Sequence, residues 1–565
     1  MAAWEETKTY YHLACLTTTG GEPQSRKQAI ESGNWLGPDG WYATELAEME
    51  QLENMGVFRW VKMTEVPNGT KLLGNKFVYK DKCPMPGVPG RKRARCVGKG
   101  FQECMAEYGE SWAPVCRHET ARAFFAAAMY HKHALRSIDI KSAFLTAKLD
   151  RDVYMRAPEG HEREGYCVQL EKAIYGLCDA PRAYYKSFAL FLRGHDLHPT
   201  YSDPCLYKST NPKYPSIKIL EYVDDLQVSG VEHEIDAFVA DLKVKYEIRD
   251  YGAPQSFIGM EVTRINNKLT LTQTKYIEQM AARFKLTDAN YVSTPMEPNL
   301  NLTTFDDSAT KPDSSEFRAM IGSLMYAQCL TQPMLSFSIA QLSRHLSRPT
   351  HAHMAAARRA IVWAYHHRHL GITYDGDADC TLAGWSDANY AACPDTRRST
   401  GGQVFMWLGG AIAWGSKMQR TTATSTAESE YMAVSDCAHN AKWLRGLVAS
   451  LLDADVHAAA PTQIFEDNRA AQKWCYNPVH HAKQKHIDVS YHFVREQCVE
   501  FKTLEVIPIE TDKMLADVCT KSLPQTAFEK FMRVIMNLSD RSLRAKTSTP
   551  RPESQTRPTR VASAS

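Results

Sequence analysis

The sequence has no Cys-x-x-Cys pair among its 15 cysteines, no apolar run long enough to span a bilayer, and no strong excess of one charge. Each absence excludes something. Scattered cysteines without paired spacing argue against a disulfide framework and against a cysteine-based zinc module. With neither a membrane-length stretch nor a signal peptide, the chain is expected to be intracellular, with reduced thiols and no membrane partner. Its 67 Lys and Arg nearly balance 64 Asp and Glu, a formal charge of +3. Any nucleic-acid partner must therefore be met by local charge. Arg91-Lys-Arg-Ala-Arg95, with Lys99 close behind, is such a local feature, dense enough to follow phosphates. Histidines gather at His351/His353, His366/His367/His369 and His480/His481/His486. Without paired cysteines they read as helix-surface or core residues.

What is present is a chain of 565 residues, 44% apolar and 23% charged, the profile of a globular protein with three or four domains. Residues 1–40 show no clear period. A helical pattern starts at Trp41, followed by strand-like Phe58–Met63 and Lys76–Tyr79. Cys83–Gly90 is a Pro/Gly tip between strands. Helices over Glu119–His131 and Ala180–Gly194 bracket a strand at Arg136–Ile140. A helix is expected over Glu232–Tyr246, then strands Phe257–Val262 and Lys268–Thr272 around an Asn-Asn turn. The Thr/Asp/Pro-rich stretch Thr294–Ser315 marks a boundary. Helices dominate from Glu316 to His369, a new α/β pattern runs from Ile372 to Leu523, and the Ser/Thr/Arg/Pro-rich tail from Asp540 reads as disordered.

Two groups of carboxylates stand out. In Ser216–Gly230, apolar runs flank Asp224 and Asp225, which reads as a hairpin with both acids at its tip. Adjacent carboxylates repel unless a cation lies between them. Mg²⁺ suits the position, since it takes one or two carboxylates plus phosphate oxygens. Asp139, in Ser137-Ile-Asp-Ile140, faces away from its two isoleucine neighbours on a strand. It meets Asp224 if the two strands are neighbours, giving a two-metal arrangement for in-line displacement at phosphorus.

The second group lies in the last α/β region. Asp387 sits in Trp385-Ser-Asp-Ala-Asn-Tyr390, ahead of the basic turn Arg397-Arg-Ser-Thr400 and a hairpin turning at Gly409-Gly410. Ser425-Thr-Ala-Glu428 reads as a capping box, with Glu428 reaching back to the Ser425 amide. The helix beyond it has an apolar face of Ala427, Tyr431, Val434, Ala438, Ala441, Leu444 and Val448, bordered by Glu430. Asp467 ends a strand at Gln463–Phe465, a place where a carboxylate enters a cleft, and Asp517 follows in Met514-Leu-Ala-Asp-Val-Cys-Thr-Lys521.

Arg95-Cys-Val-Gly-Lys-Gly-Phe-Gln102, Ser111-Trp-Ala-Pro-Val115, Ile138-Asp-Ile-Lys-Ser-Ala-Phe-Leu145 and Ala173-Ile-Tyr-Gly-Leu-Cys-Asp-Ala-Pro-Arg182 precede Tyr222-Val-Asp-Asp225 in that order. The succession resembles the reverse transcriptase of copia-type LTR retrotransposons, and the order Asp387, Glu430, Asp467, Asp517 resembles RNase H in its copia-type form. The resemblance implies an α+β multidomain fold: a right-hand polymerase of fingers, palm and thumb, then a helical connection and an RNase H-like α/β domain. On this reading an irregular segment spans 1–40, fingers and palm 41–230 and a thumb-like region 231–298. A linker and connection follow over 299–371, the RNase H-like domain over 372–523, and a C-terminal helix with disordered tail over 524–565.

Asp139, Asp224 and Asp225 become one metal-binding triad, with Asp387, Glu430, Asp467 and Asp517 the second set. Two Mg²⁺ ions per site, or Mn²⁺ in their place, are implied. Glu428 competes with Glu430 but already has a capping duty. Phe144 matches an aromatic that selects deoxy over ribo sugars, with plain palm core as its other reading. Arg95 and Lys99 fall where cations would meet a triphosphate, while Tyr175, Gly176 and Arg182 match a segment supporting nucleotide and template. His486 is either a proton shuttle or a packing residue. The implied partners are an RNA template, a DNA primer, RNA–DNA hybrid and dNTPs, with a cytoplasmic particle or the nucleus as the place of action. Cys178-Asp179 departs from the family by losing a cation and adding an acid, and Asp387-Ala-Asn-Tyr390 departs from Asp-Ala-Asp-Trp.

Gag, aspartic protease and integrase signatures are absent from the sequence, so the chain is expected to correspond to the C-terminal half of such a polyprotein. An active polymerase with RNase H is one reading; an inactive or co-opted relic that binds nucleic acid is the other. Retention of all seven carboxylates favours the first.

Overall fold

A computed structural model describes residues 22–82, 91–103, 110–300, 302–304, 312–477 and 488–539. The Cys83–Gly90 tip, His480, His481, His486 and the tail from Asp540 lie outside the described residues. By its contacts the chain divides into two compact units, Met1–Ile258 with Lys442–Ala459, and Gly259–Ala441 with Ala460–Ser565.

In the first unit, a six-stranded antiparallel sheet runs in the order Ile248–Gly252, Ala134–Ile140, Asp225–Gly230, Lys218–Tyr222, Leu206–Ser209, Leu197–Pro199. Alternation dictates its faces: Ile138, Ile140, Leu226 and Val228 are each 0–1% exposed, and each such side chain contributes about 1.5–3 kcal/mol by burial. They share a core with Phe188, Leu192, Ile235 and Phe238 from the helices Ala180–Gly194 and Glu232–Lys245. A second sheet joins Phe58–Lys62, Tyr166–Lys172 and Lys148–Met155, and a two-stranded ribbon pairs Asn75–Lys82 with Arg91–Gly98.

Three segments fall differently from expectation. Arg26–Glu31, within the stretch read as irregular, is a helix because the Ser25 side chain accepts from the Gln28 amide at its start. Ile248–Gly252, read as thumb-like, pairs with Ala134–Ile140 and forms the edge of the six-stranded sheet. Residues 442–459, read as part of the last α/β region, group with the first unit. There Trp443 Nε1 donates to Ser202 O at 2.8 Å, and Asp453 receives Lys208 and Lys218, both at 2.7 Å.

In the second unit, Met260–Ile265 and Lys268–Thr272 form a hairpin extended by Ile372–Asp375. Ile372–Asp375 was expected to open the last α/β sheet. Its backbone instead bonds to Lys268–Leu271, so that sheet begins at Ala383. Helices Thr274–Arg283, Ser314–Leu330, Ser336–Leu342 and His351–His366 contribute to a core around Phe317, Leu324, Ile361 and Trp363. The last sheet has five strands in the order Gly410–Met418, Thr400–Trp407, Ala383–Asn389, Thr462–Glu466, Leu504–Pro508. The first three pair antiparallel, and the last two run parallel to Ala383–Asn389 and to each other. The hairpin turns on Leu408 and Gly409, φ +50° and +83°, one residue before the expected pair. Positive φ at both central residues matches the twist of the flanking strands.

One buried acid in the first sheet makes stability pH-dependent. Glu221 is 2% exposed and accepts from Tyr207 Oη at 3.1 Å. Burial pushes its carboxyl up to about 8, with the Tyr207 hydrogen bond opposing. The folded state therefore keeps a proton that the unfolded state releases near 4.5. The associated stability is complete below that value and is lost as pH rises through about 8. Urea midpoints measured across this range should fall less steeply for Glu221→Gln than for the wild type, by up to about 1.4 kcal/mol per pH unit. Parallel slopes for the two proteins would refute this account of Glu221.

Candidate active site

The first carboxylate set is assembled by strand register. Asp225 stands directly opposite Asp139, Leu226 opposite Ile138 and Gln227 opposite Ser137. Gln227 Nε2 donates to Ser137 Oγ at 2.9 Å, which confirms that this row shares one face. Asp224 sits in the two-residue turn between Tyr222 and Asp225, and its carbonyl accepts from the Ile140 amide at 2.9 Å. The residue before it, Val223, has φ +59°, a conformation that β-branched side chains rarely adopt. Strain of that kind persists only where the surroundings impose it.

The three acids act on one another electrostatically. Burial, with Asp139 adding, pushes the Asp224 carboxyl above its usual range, while its own amide, Arg95 and Arg93 pull it down. Asp225 is pushed up to about 6 by burial, then by Asp224 and Asp139. Arg93 was not singled out in the sequence. The signal that finds it is alternation: on Arg91–Gly98, residues 94, 96 and 98 are buried, leaving 91, 93 and 95 on the other face.

The expected substrate-binding residues divide into groups. The Arg95 guanidinium lies 4.6 Å from the Tyr175 ring centre, and its Nε has no hydrogen-bond partner although buried. Lys99 precedes the turn Gly100–Gln102, and its amide donates to Gly74 O at 2.8 Å. Phe144 is half-buried, edge-on to Tyr175 and Tyr184 at 5.4 and 6.1 Å. Arg182 is spent locally, on Trp112 O at 3.0 Å and on Glu110 at 2.5 Å.

Gly176 meets backbone. A Cβ there would stand 2.2 Å from Gly98 O, and its φ is +92°. Gly98 and Gly100 amides donate to Tyr175 O and Gly176 O at 2.8 and 3.2 Å, stitching the Arg91–Gly98 strand to the segment carrying Tyr175. The departure at Asp179 is also answered locally. Arg151 meets Asp179 Oδ2 at 2.8 Å and Oδ1 at 3.2 Å, and Glu103 at 2.8 Å.

The second set is tighter. Among the described residues, Asp387, Glu430 and Asp467 are the group that brings one oxygen each within 4.8 Å of the others. Asp387 comes from the central strand Ala383–Asn389, Glu430 from the first turns of the helix Thr426–Leu452, and Asp467 from just beyond Thr462–Glu466. Glu430 is pushed up to about 9 by burial, Asp387 and Asp467, and its Oε2 is buried without a hydrogen-bond partner. Asp387 is raised by burial, with Lys521 and Thr520 opposing.

Glu428 is excluded from the cluster by its capping bonds. It accepts from the Thr424 amide at 2.8 Å and from Thr424 Oγ1, one residue earlier than the Ser425 amide expected. Asp517, in the short helix Asp517–Thr520, flanks the group and pairs with Lys521 at 2.8 Å. Sequence reading missed Glu466, which is 0% exposed, with its carboxyl raised by burial and by Glu430. A second acid beside Asp467 at a strand end was its only signal.

Residues 57–298 match the family model described as reverse transcriptase (RNA-dependent DNA polymerase). The retrovirus-related Pol polyprotein from transposon TNT 1-94 of Nicotiana tabacum is 34% identical over 500 residues, 85% of this chain. The chain belongs to the reverse transcriptase family of copia-type Pol polyproteins. The corresponding polyprotein from transposon RE1 of Arabidopsis thaliana is 31% identical over 527 residues, 92% of the chain. The chain spans 36% and 35% of the lengths of these two relatives. The solved foamy viral protease-reverse transcriptase in complex with dsDNA is 13% identical, covering 87% of this chain and 84% of that chain at a TM-score of 0.47. Among the described residues no helix is long and apolar enough to cross a membrane.

Gly176 offers a test of how this reverse transcriptase-family site is held. Gly176→Ala forces a side chain into positive φ against Gly98 O, at a cost of about 1–3 kcal/mol. The urea midpoint should drop accordingly, and an unchanged midpoint would show that the stitch between the two segments is not tight.

Proposed function

We propose that the chain is an RNA- and DNA-directed DNA polymerase with a second centre that hydrolyses the RNA strand of an RNA–DNA hybrid. The observation that carries the first activity is the register that sets Asp225 opposite Asp139, with Asp224 at the adjoining turn and two arginines acting on it. The second rests on the convergence of Asp387, Glu430 and Asp467.

Both donor sets fit a hard divalent cation. They consist of carboxylate oxygens, Asp225 and Glu430 are pushed toward the protonated form by burial and by neighbouring acids, and Glu430 keeps a buried oxygen with no partner. Asp139, Asp224 and Asp225 would hold Mg²⁺ or Mn²⁺ in one centre, and Asp387, Glu430 and Asp467, with Asp517 beside them, in the other. When bound, such ions activate the attacking oxygen and stabilise the leaving one.

The chain's own residues supply the rest. Arg93 and Arg95 place positive charge beside Asp224, suited to the triphosphate of an incoming dNTP. Phe144, braced by Tyr175 and Tyr184, offers a fixed aromatic wall that a 2′-hydroxyl would strike. An RNA template and a DNA primer are the partners of the first centre, and the hybrid is the substrate of the second.

Primer extension on poly(rA)/oligo(dT) with Mg²⁺ separates the activities. Asp224→Asn should lower incorporation by at least about a hundredfold, the scale of losing a group that acts at the reacting phosphate, while leaving hybrid cleavage intact. Asp387→Asn should do the reverse on a labelled RNA–DNA hybrid. Incorporation by Asp224→Asn equal to the wild type would remove the polymerase assignment, and undiminished cleavage by Asp387→Asn would remove the nuclease assignment.

A further inference from the structure

The second centre contains a cation of its own. Lys521 Nζ lies 2.8 Å from Asp517 Oδ1 and 3.9 Å from Asp387 Oδ2. This placement is built. The Lys521 amide donates to Asp517 O at 3.1 Å, closing the turn that carries both side chains. Thr520 Oγ1 donates to Asp387 Oδ2 and thereby pins the turn to the central strand. Asn389 Nδ2, two residues further along that strand, donates to Thr520 O at 3.3 Å. Asp387 and Asp517 are 3% and 5% exposed, while the Lys521 side chain that meets them keeps 37% of its surface in solvent.

Asp387, Glu430 and Asp467 bring one oxygen each within 4.8 Å of the others, and Glu430 Oε2 has no hydrogen-bond partner. Between Asp387 and Asp517 an ammonium is already present. An ion bridging Asp387 and Asp517 would meet a like charge a few ångströms away, which costs it affinity.

We propose that Lys521 is a positioning residue whose ammonium holds the Asp387–Asp517 edge, so that one divalent ion binds first at Asp387, Glu430 and Asp467 and a second must displace Lys521. This inference rests on the nuclease reading of the same centre. It makes the two ions unequal: the first is held by three carboxylates, and the second enters weakly, when the substrate phosphate adds the oxygens that offset the displaced ammonium.

Mn²⁺ binding to the full chain, read from the electron paramagnetic resonance signal of the free ion, tests it in a background carrying Asp139→Asn and Asp224→Asn to silence the first centre. The background protein should show one tight and one weak ion that are both lost on adding Asp387→Asn. Lys521→Met should tighten the weak ion by about tenfold and the tight one by clearly less, since the ammonium lies 2.8 Å from Asp517 but 3.9 Å from Asp387. Lys521→Gln should repeat this result, so that misfolding of one neutral variant, visible by circular dichroism, does not decide the matter. Lys521→Arg should keep the weak ion weak. Ions lost with Asp387→Asn but indifferent to both neutral variants would overturn the role of Lys521 alone. No ion lost with Asp387→Asn would overturn the nuclease reading, and the proposal with it.

Discussion

Carboxylates crowded together repel one another, and both centres exist because the backbone holds them in place against that repulsion. In the first, the antiparallel register of Asp225–Gly230 on Ala134–Ile140 leaves Asp225 and Asp139 no way to separate. In the second, a central strand, a helix start and a strand end converge on Asp387, Glu430 and Asp467. The stored repulsion is what makes each cluster receptive to a divalent ion. Surrounding cations then tune it: Arg93 and Arg95 at one centre, Lys521 at the other.

The same economy explains departures that look damaging in sequence. Asp179 adds an acid where the family pattern has a neutral residue, yet Arg151 neutralises it through two oxygens. Neighbouring Cys178 donates from Sγ to Gly100 O at 3.4 Å, inside the stitch formed by Gly98, Gly100 and Gly176. These changes are absorbed within the scaffold behind the triad. Asn389, standing where the family has aspartate, serves the second centre by holding Thr520, which in turn holds Asp387.

Much of the fold was legible because its signals are local. Alternation around Asp139, the apolar runs flanking Asp224 and the apolar face of the helix carrying Tyr431 and Val434 all follow from side-chain period. Boundaries set by pairing partners were not legible. Ile372–Asp375 looks like any opening strand, and only its bonds to Lys268–Leu271 assign it to the preceding hairpin. Ile248–Gly252 likewise joins the sheet of Asp139 through register, not composition. Glu466 escaped notice because a buried acid and a solvated one are the same letter until the fold closes over them.

By itself, the order of residues determined which acids were candidates, since strand and helix periods place each one on a face and the succession of motifs names a family. Tertiary structure decided which of them meet. It set Asp225 opposite Asp139, gathered Asp387, Glu430 and Asp467, and spent Arg182 on Trp112 and Glu110. The reason is physical: period acts over a few residues, whereas the distance between two charges far apart in the chain is set by strand register and burial.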